Sequence, residues 1–197
     1  LRAAAAEAAP ALPDAEAVEA LGRALSDESA VVRRAASRVL PRVAGAAPLL
    51  SRALVDRDPS VVAAACDAAA ELKRPAVKAR LAELLHAGEG FVVLAALQAL
   101  VSLGAVDDEM AALALGHADP EVVKAALSLL AGAPRCASAA PRLLQHPRWD
   151  VRAAAARALE VAGSAEALEA LKGALLREHD GMTRQIIAAA AERLSQR

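Results

Sequence analysis

The sequence predicts an all-α fold made of stacked helical hairpins, and three observations carry that expectation. A helix-forming phrase, Val32-Arg33-Arg34-Ala35-Ala36-Ser37-Arg38-Val39-Leu40, returns at an interval of about 30 residues, the spacing of repeat architectures. Its anchoring position runs Leu1, Val32, Val62, Val93, Val123, Val151 and, more loosely, Thr183, each leading into a helix of small residues. Within these helices Val32, Ala36 and Leu40, like Val123, Leu127 and Ala131 or Val151, Ala155 and Leu159, recur four apart and form one apolar face. A lone hairpin cannot bury that face, so neighbouring hairpins must stack and share a core.

The elements follow in order. Leu1 to Ala9 suits the second helix of a repeat better than a secretion signal. Six pairs come next, at about 14 to 45, 46 to 74, 75 to 104, 105 to 132, 133 to 163 and 164 to 197, expected to form one domain over 1–197. First helices open on Asp14, Asp107 and Ser164, whose side chains can accept from exposed first-turn amides. Second helices are announced by Asp58-Pro59 and Asp119-Pro120, an N-cap followed by a proline whose missing N–H is no loss at the first helical position. Gly45, Gly104, Gly132 and Gly163 stand where a left-handed residue ends a helix, and Pro75 breaks the remaining boundary.

Composition narrows the function. Hydrophobic residues make up 56% of the chain, and Ala supplies about half of them, so the core is wide but built from small groups. Lys and Arg number 23 against 24 Asp and Glu, without the basic excess that nucleic-acid binding by counterion release requires. Charges or prolines interrupt every apolar run well short of the roughly 18 residues of a membrane helix, so no membrane insertion is expected. Cys66 and Cys136 fall in different repeats, too far apart to pair, and read as two buried thiols suited to a reducing cytoplasm.

Asp119-Pro120-Glu121-Val122-Val123-Lys124 and Asp150-Val151-Arg152-Ala153-Ala154-Ala155-Ala156-Arg157-Ala158-Leu159 carry a family resemblance over nearly the whole chain. The chain resembles the HEAT-repeat family, in particular the short bacterial, phycobilisome-lyase-type repeats. The resemblance implies a right-handed alpha-alpha superhelix, an alpha-solenoid with a leading half-repeat and about six hairpins. It also implies a concave surface lined by second helices, which in this family usually binds other proteins.

The position after each anchor holds Arg2, Arg33, Ala63, Leu94, Lys124, Arg152 and Arg184. Two roles fit this row. The cations can grip an acidic partner, or, as the resemblance implies, pair with acids that open second helices, with Glu28, Asp119, Asp150 and Asp180 available. Variation between repeats points to the surface: Arg33, Arg34 and Arg38 give way to Ala63, Ala64, Leu94 and Ala95, and charge returns at Lys124, Arg152, Arg157 and Arg184. An apolar saddle between basic ends suits an acidic or amphipathic helical protein segment. The expected contact set is Arg33, Arg34, Arg38, Leu94, Gln98, Lys124, Arg152, Arg157 and Arg184.

Catalytic signatures are missing. No Gly-x-Ser-x-Gly elbow, Walker loop, dinucleotide fingerprint or close Cys pair occurs. His86, His117, His146 and His179 recur once per repeat near the hairpin turns, but repeat spacing of about 10 Å cannot bring such a row onto one metal ion. The family's metal-dependent hydroxylase branch uses His-Glu pairs, whereas Ala87, Ala118, Pro147 and Asp180 follow these histidines. Trp149 and Phe91, the only aromatics, each precede a second helix, where a ring either closes the local core or meets a partner. No cofactor and no metal are expected. The reading is a non-catalytic protein-interaction scaffold, with two rivals: an accessory domain of a lyase or protein-modifying enzyme, and nucleic-acid binding through basic groove ends.

Overall fold

The computed structural model describes residues 1–196. Among them are thirteen α-helices and no strand, arranged in two compact units, Leu1–Val106 and Asp107–Arg197. The first unit holds α1 (Arg2–Ala8), α2 (Asp14–Ala24), α3 (Ala30–Val39), α4 (Leu50–Ala53), α5 (Pro59–Leu72), α6 (Lys78–Leu84) and α7 (Gly90–Ser102). Here α1, α3, α5 and α7 pack successively side by side, with α2, α4 and α6 as the partner helices of the hairpins. α4 is a single turn continued from a 3₁₀ turn at Ala47–Leu49.

The second unit holds α8 (Asp108–Leu115), α9 (Pro120–Leu129), α10 (Pro134–Leu143), α11 (Trp149–Ala162), α12 (Ala165–Leu175) and α13 (Gly181–Ser195). The second helices α9, α11 and α13 pack in sequence, and α8, α10 and α12 form the other layer. Ala36, Ala65 and Ala96 in the first unit and Ala126 and Ala155 in the second are fully buried, which lets helix axes approach closely. Leu40, Leu54, Leu81, Leu97 and Leu100, and in the second unit Leu127, Leu159, Leu171 and Ile187, fill the layers between them. Each such side chain contributes about 1.5–3 kcal/mol by leaving water.

Capping follows the sequence expectation at most boundaries. Asp58 accepts from the Ser60 amide at 2.9 Å, Asp107 from Met110 at 3.0 Å, Asp119 from Glu121 at 2.9 Å and Ser164 from Ala167 at 3.1 Å. Asp180 caps α13 through the Thr183 amide at 2.7 Å. Asp14 does not cap α2. Pro13 precedes the helix and Asp14 is its first residue, where the carboxylate acts only through its charge at the positive end of the helix dipole. The four glycines take φ between +59° and +83°. At the end of α5 the left-handed position falls to Lys73, with φ +46°, just ahead of the turn that begins at Pro75.

The alternation of buried and exposed residues also sets the register of the second helices. Val61, Val92 and Val122, not Val62, Val93 and Val123, are equivalent to Val32 and Val151. The sequence offers two adjacent valines in each of these repeats, and apolar character cannot choose between them. With the shift, Ala63, Leu94 and Lys124 match Arg34 rather than Arg33, and the exposed position of Arg38 is held by Asp67 and Gln98 in the first unit and by Ser128 and Arg157 in the second.

Candidate partner-binding groove

The corrected register decides which of the expected contact residues face solvent. Five residues before Val32, Val61, Val92, Val122, Val151 and Thr183 stand Asp27, Asp56, Ala87, His117, His146 and Glu178, in the turn that joins the two helices of a hairpin. Asp27, Asp56 and Glu178 each accept the amide two residues on, at 2.9 Å. His117 and His146 do the same through Nδ1 at 2.9 and 3.1 Å. These two histidines are therefore turn acceptors, a role that explains their recurrence without a metal.

The carboxylates at this position are also clasped by the preceding repeat. Arg33 Nε and Nη2 donate to Asp56 at 2.7 and 2.9 Å, while its Nη1 donates to the carbonyls of Asp27 and Glu28. Arg152 repeats the arrangement on Glu178 at 2.7 and 2.8 Å, with its Nη1 on the carbonyls of His146 and Pro147. Arg2 reaches Asp27 at 2.8 Å. Within the first unit Val62 occupies the cation's place and Ala87 the acceptor's, so the charged clasp has no counterpart at those positions. The ladder between repeats therefore runs chiefly to acids in the turns, and it also reaches two of the acids expected at the helix openings, Glu28 from Arg2 at 3.0 Å and Asp150 from Lys124. Asp119 and Asp180 cap their own helices, and Asp150 pairs with Lys124 at 2.8 Å.

These contacts shift the acids in one direction. Burial pushes the Asp56 carboxyl up, but the Arg33 guanidinium and the Asp58 amide overcome it and hold the group below its ordinary range. Arg152 does the same for Glu178. Asp150 lies far below the carboxylate range because Arg148 and Lys124 both bond to it.

The expected contact residues thus divide. Arg33, 5% exposed, and Arg152 join repeats and have their donors engaged. Arg184 is exposed and donates to the Glu178 carbonyl. In the first unit Arg38 and Gln98 are exposed and Arg34 and Leu94 half-buried. The apolar saddle is narrower there than the sequence suggests, because Asp67 falls in the Arg38 row; burial raises its carboxyl, and Arg38 offsets only part of that.

In the second unit Lys124 and Arg157 meet in one groove. It is about 630 Å³ in volume and runs across α9, α11 and α13. Leu127, Ala131, Ala153, Ala154, Ala158 and Ile186 form its floor. Trp149, Val161 and Met182 line it while remaining 49%, 56% and 61% exposed. The sequence pattern points to Trp149 but not to Met182, which joins the groove only once α13 packs on α11. Lys124 is held by Glu121 and Asp150, each at 2.8 Å. Among the described residues Arg157 makes no ion pair, and it is exposed. No group of three or more potential metal ligands occurs among the described residues.

Residues 108–192, which form nearly all of this second unit, match a family model described as HEAT repeats. Solved structures extend the similarity over the rest of the chain. A structure of the complex of CpcE and CpcF of phycocyanin lyase from Nostoc sp. PCC7120 is 25% identical, covering 91% of this chain and 83% of that chain at a TM-score of 0.51. The YibA protein of E. coli is 16% identical over 93% of this chain and 82% of its own, at a TM-score of 0.62. A designed armadillo repeat protein is 20% identical over 88% and 98%, at 0.56. The fold is that of the helical-repeat solenoids. No curated protein sequence matches the chain.

Proposed function

We propose that this chain is a non-catalytic scaffold that binds a protein segment across its second helices, chiefly in the groove of α9, α11 and α13. The observation that carries the reading is the set of large apolar side chains left uncovered in that groove. Trp149 and Val161, at opposite ends of α11 and about 18 Å apart along it, and Met182 of α13 line one elongated apolar groove, although the repeat has ample Ala and charged residues with which to close it. Repeat arrays of this fold serve protein recognition through extended surfaces. In the second unit Lys124, Arg157 and Arg184 are the side chains offered to the partner; in the first unit Arg34, Arg38, Leu94 and Gln98 hold the equivalent helix positions, and Arg33 and Arg152 tie together the repeats of their own units. The free, buried Cys66 and Cys136 suit a cytoplasmic setting, and among the described residues no helix is long and apolar enough to cross a membrane.

The test is a photo-crosslinking amino acid at Val161, in the groove, and at Glu169, exposed on α12 of the other layer. Protein adducts from native lysate at 161 and not at 169 are expected. Equal labelling at both positions, or adducts with nucleic acid alone, would refute the reading. The similarity to phycocyanin lyase at 25% identity favours one second reading, an accessory array that positions a substrate for an enzyme. Recovery of a single enzyme subunit at position 161 would select it.

A further inference from the structure

We infer that the groove over α9, α11 and α13 accepts an amphipathic helix that places a carboxylate next to its apolar stripe, and that Arg157 selects that carboxylate. The inference rests on the protein-segment reading above and specifies the chemistry of the segment.

The charges of the groove single out Arg157. Lys124 is bound by Glu121 and Asp150, and Arg148 by Glu121 at 3.0 Å and by Asp150. Those two cations and two acids neutralise one another at the α9 side. Arg157 stands on α11 between Ala153 and Val161, one helical turn from each, with no acid in an ion pair with it among the described residues. Its equivalents in other repeats, Arg38, Asp67, Gln98 and Ser128, show that the fold does not require a cation at this position. A guanidinium flanked by apolar surface is suited to a two-pronged bond with a carboxylate, a bond strengthened when water is displaced from its surroundings.

Backbone chemistry favours a helical occupant. The floor is the sides of α-helices, whose amides and carbonyls are already paired within each helix. An extended segment laid there would lose water from its own backbone and find no partners, whereas a helix satisfies its backbone internally. Ala153, Ala154 and Ala158 keep the floor low enough for a second helix to approach closely. The volume, about 630 Å³, accommodates the apolar side chains of two successive helical turns at i, i+3 or i+4, and i+7.

The chain has one Trp and no Tyr, so its tryptophan emission reports on this groove alone. Two synthetic helical peptides without aromatic residues serve as probes, sharing leucines at i, i+4 and i+7 and differing only in Glu or Lys beside that stripe. The Glu peptide should shift Trp149 emission to the blue and saturate, at least about tenfold more tightly than its Lys twin, the discrimination expected of one charge-assisted bond. Arg157→Gln should abolish the preference and Arg157→Glu should reverse it, with far-ultraviolet circular dichroism unchanged. Arg34→Glu, in the first unit, should leave it intact. Equal binding of the twins, a preference that survives both Arg157 variants, or an emission shift produced only by DNA or RNA would overturn the inference. If neither peptide binds while position 161 still crosslinks to protein, the inference fails and the scaffold reading stands. If both experiments fail, both readings fall.

Discussion

Removing the Arg33 clasp should damage the first unit far more than removing an exposed ion pair. Arg33 and Asp56 are joined by two bonds, at 2.7 and 2.9 Å, with their side chains 6% and 10% exposed. Arg33 also covers the Asp27 and Glu28 carbonyls at 2.8 and 3.0 Å. Arg33→Met keeps much of the apolar stem but strands a half-enclosed carboxylate and two carbonyls. Breaking such a pair from one side costs about 3–5 kcal/mol. With a urea slope of about 2 kcal/mol/M, the midpoint should fall by roughly 1.5–2.5 M. Asp56→Asn preserves an acceptor for the Asp58 amide and removes the charge. In the double variant each change therefore costs less than alone, and a coupling of about 2 kcal/mol is expected. Circular dichroism during urea titration of the four proteins of this cycle measures both quantities. A single-variant loss below about 1 kcal/mol, the range of exposed pairs, would refute the argument, as would strict additivity. Arg193→Met, which breaks the exposed pair with Glu160, is the control and should lose much less.

Three further outcomes follow from the same geometry. Asp27, Asp56, Asp150 and Glu178 all have folded values depressed below their unfolded ones. Their contribution is therefore complete above the unfolded values of about 3.9 for Asp and 4.3 for Glu and is lost as pH falls through the folded values, so stability should hold near neutrality and decline below about pH 4; thermal melts across pH check this, and Asp56→Asn should flatten part of the decline. Lys73→Gly relieves a left-handed residue at the end of α5 and should stabilise by about 0.5–1 kcal/mol, read from the urea midpoint, whereas a loss would mean the lysine side chain supports the turn. Burial pushes the Cys66 thiol up to about 12 and raises Cys136 as well, so neither should react with a thiol reagent at pH 8 in the folded protein, and both should react in urea.

Most of the architecture is legible in the sequence because the helix boundaries are chemically marked. Asp58-Pro59 and Asp119-Pro120 state where second helices begin, and Gly104 and Gly163 mark the ends of α7 and α11, whereas α3 stops at Val39, well before Gly45, and α9 at Leu129, before Gly132. The register within a helix is harder to read, since Val61-Val62, Val92-Val93 and Val122-Val123 are equally apolar and the choice depends on the neighbouring turn. A usable signal is present nonetheless: an acceptor five residues before the anchor, and an Arg in the preceding repeat wherever that acceptor is Asp56 or Glu178. Asp14 misleads because Pro13 already breaks the chain there, and Lys73 because nothing in its side chain announces a left-handed backbone. The groove was only half visible. Lys124 and Arg157 follow from repeat spacing, but Met182 and Ile186 join the groove through the packing of α13 on α11, which no local pattern encodes.

Hydroxyl-radical footprinting with the crosslinked partner bound tests the central claim most directly, because Trp149 and Met182 are both oxidisable and both exposed in the groove. Strong oxidation of both in the free chain and protection of both in the complex is predicted, with Leu176 on the α12 side unchanged. Protection of Leu176 while Trp149 and Met182 stay open to oxidation would contradict the account.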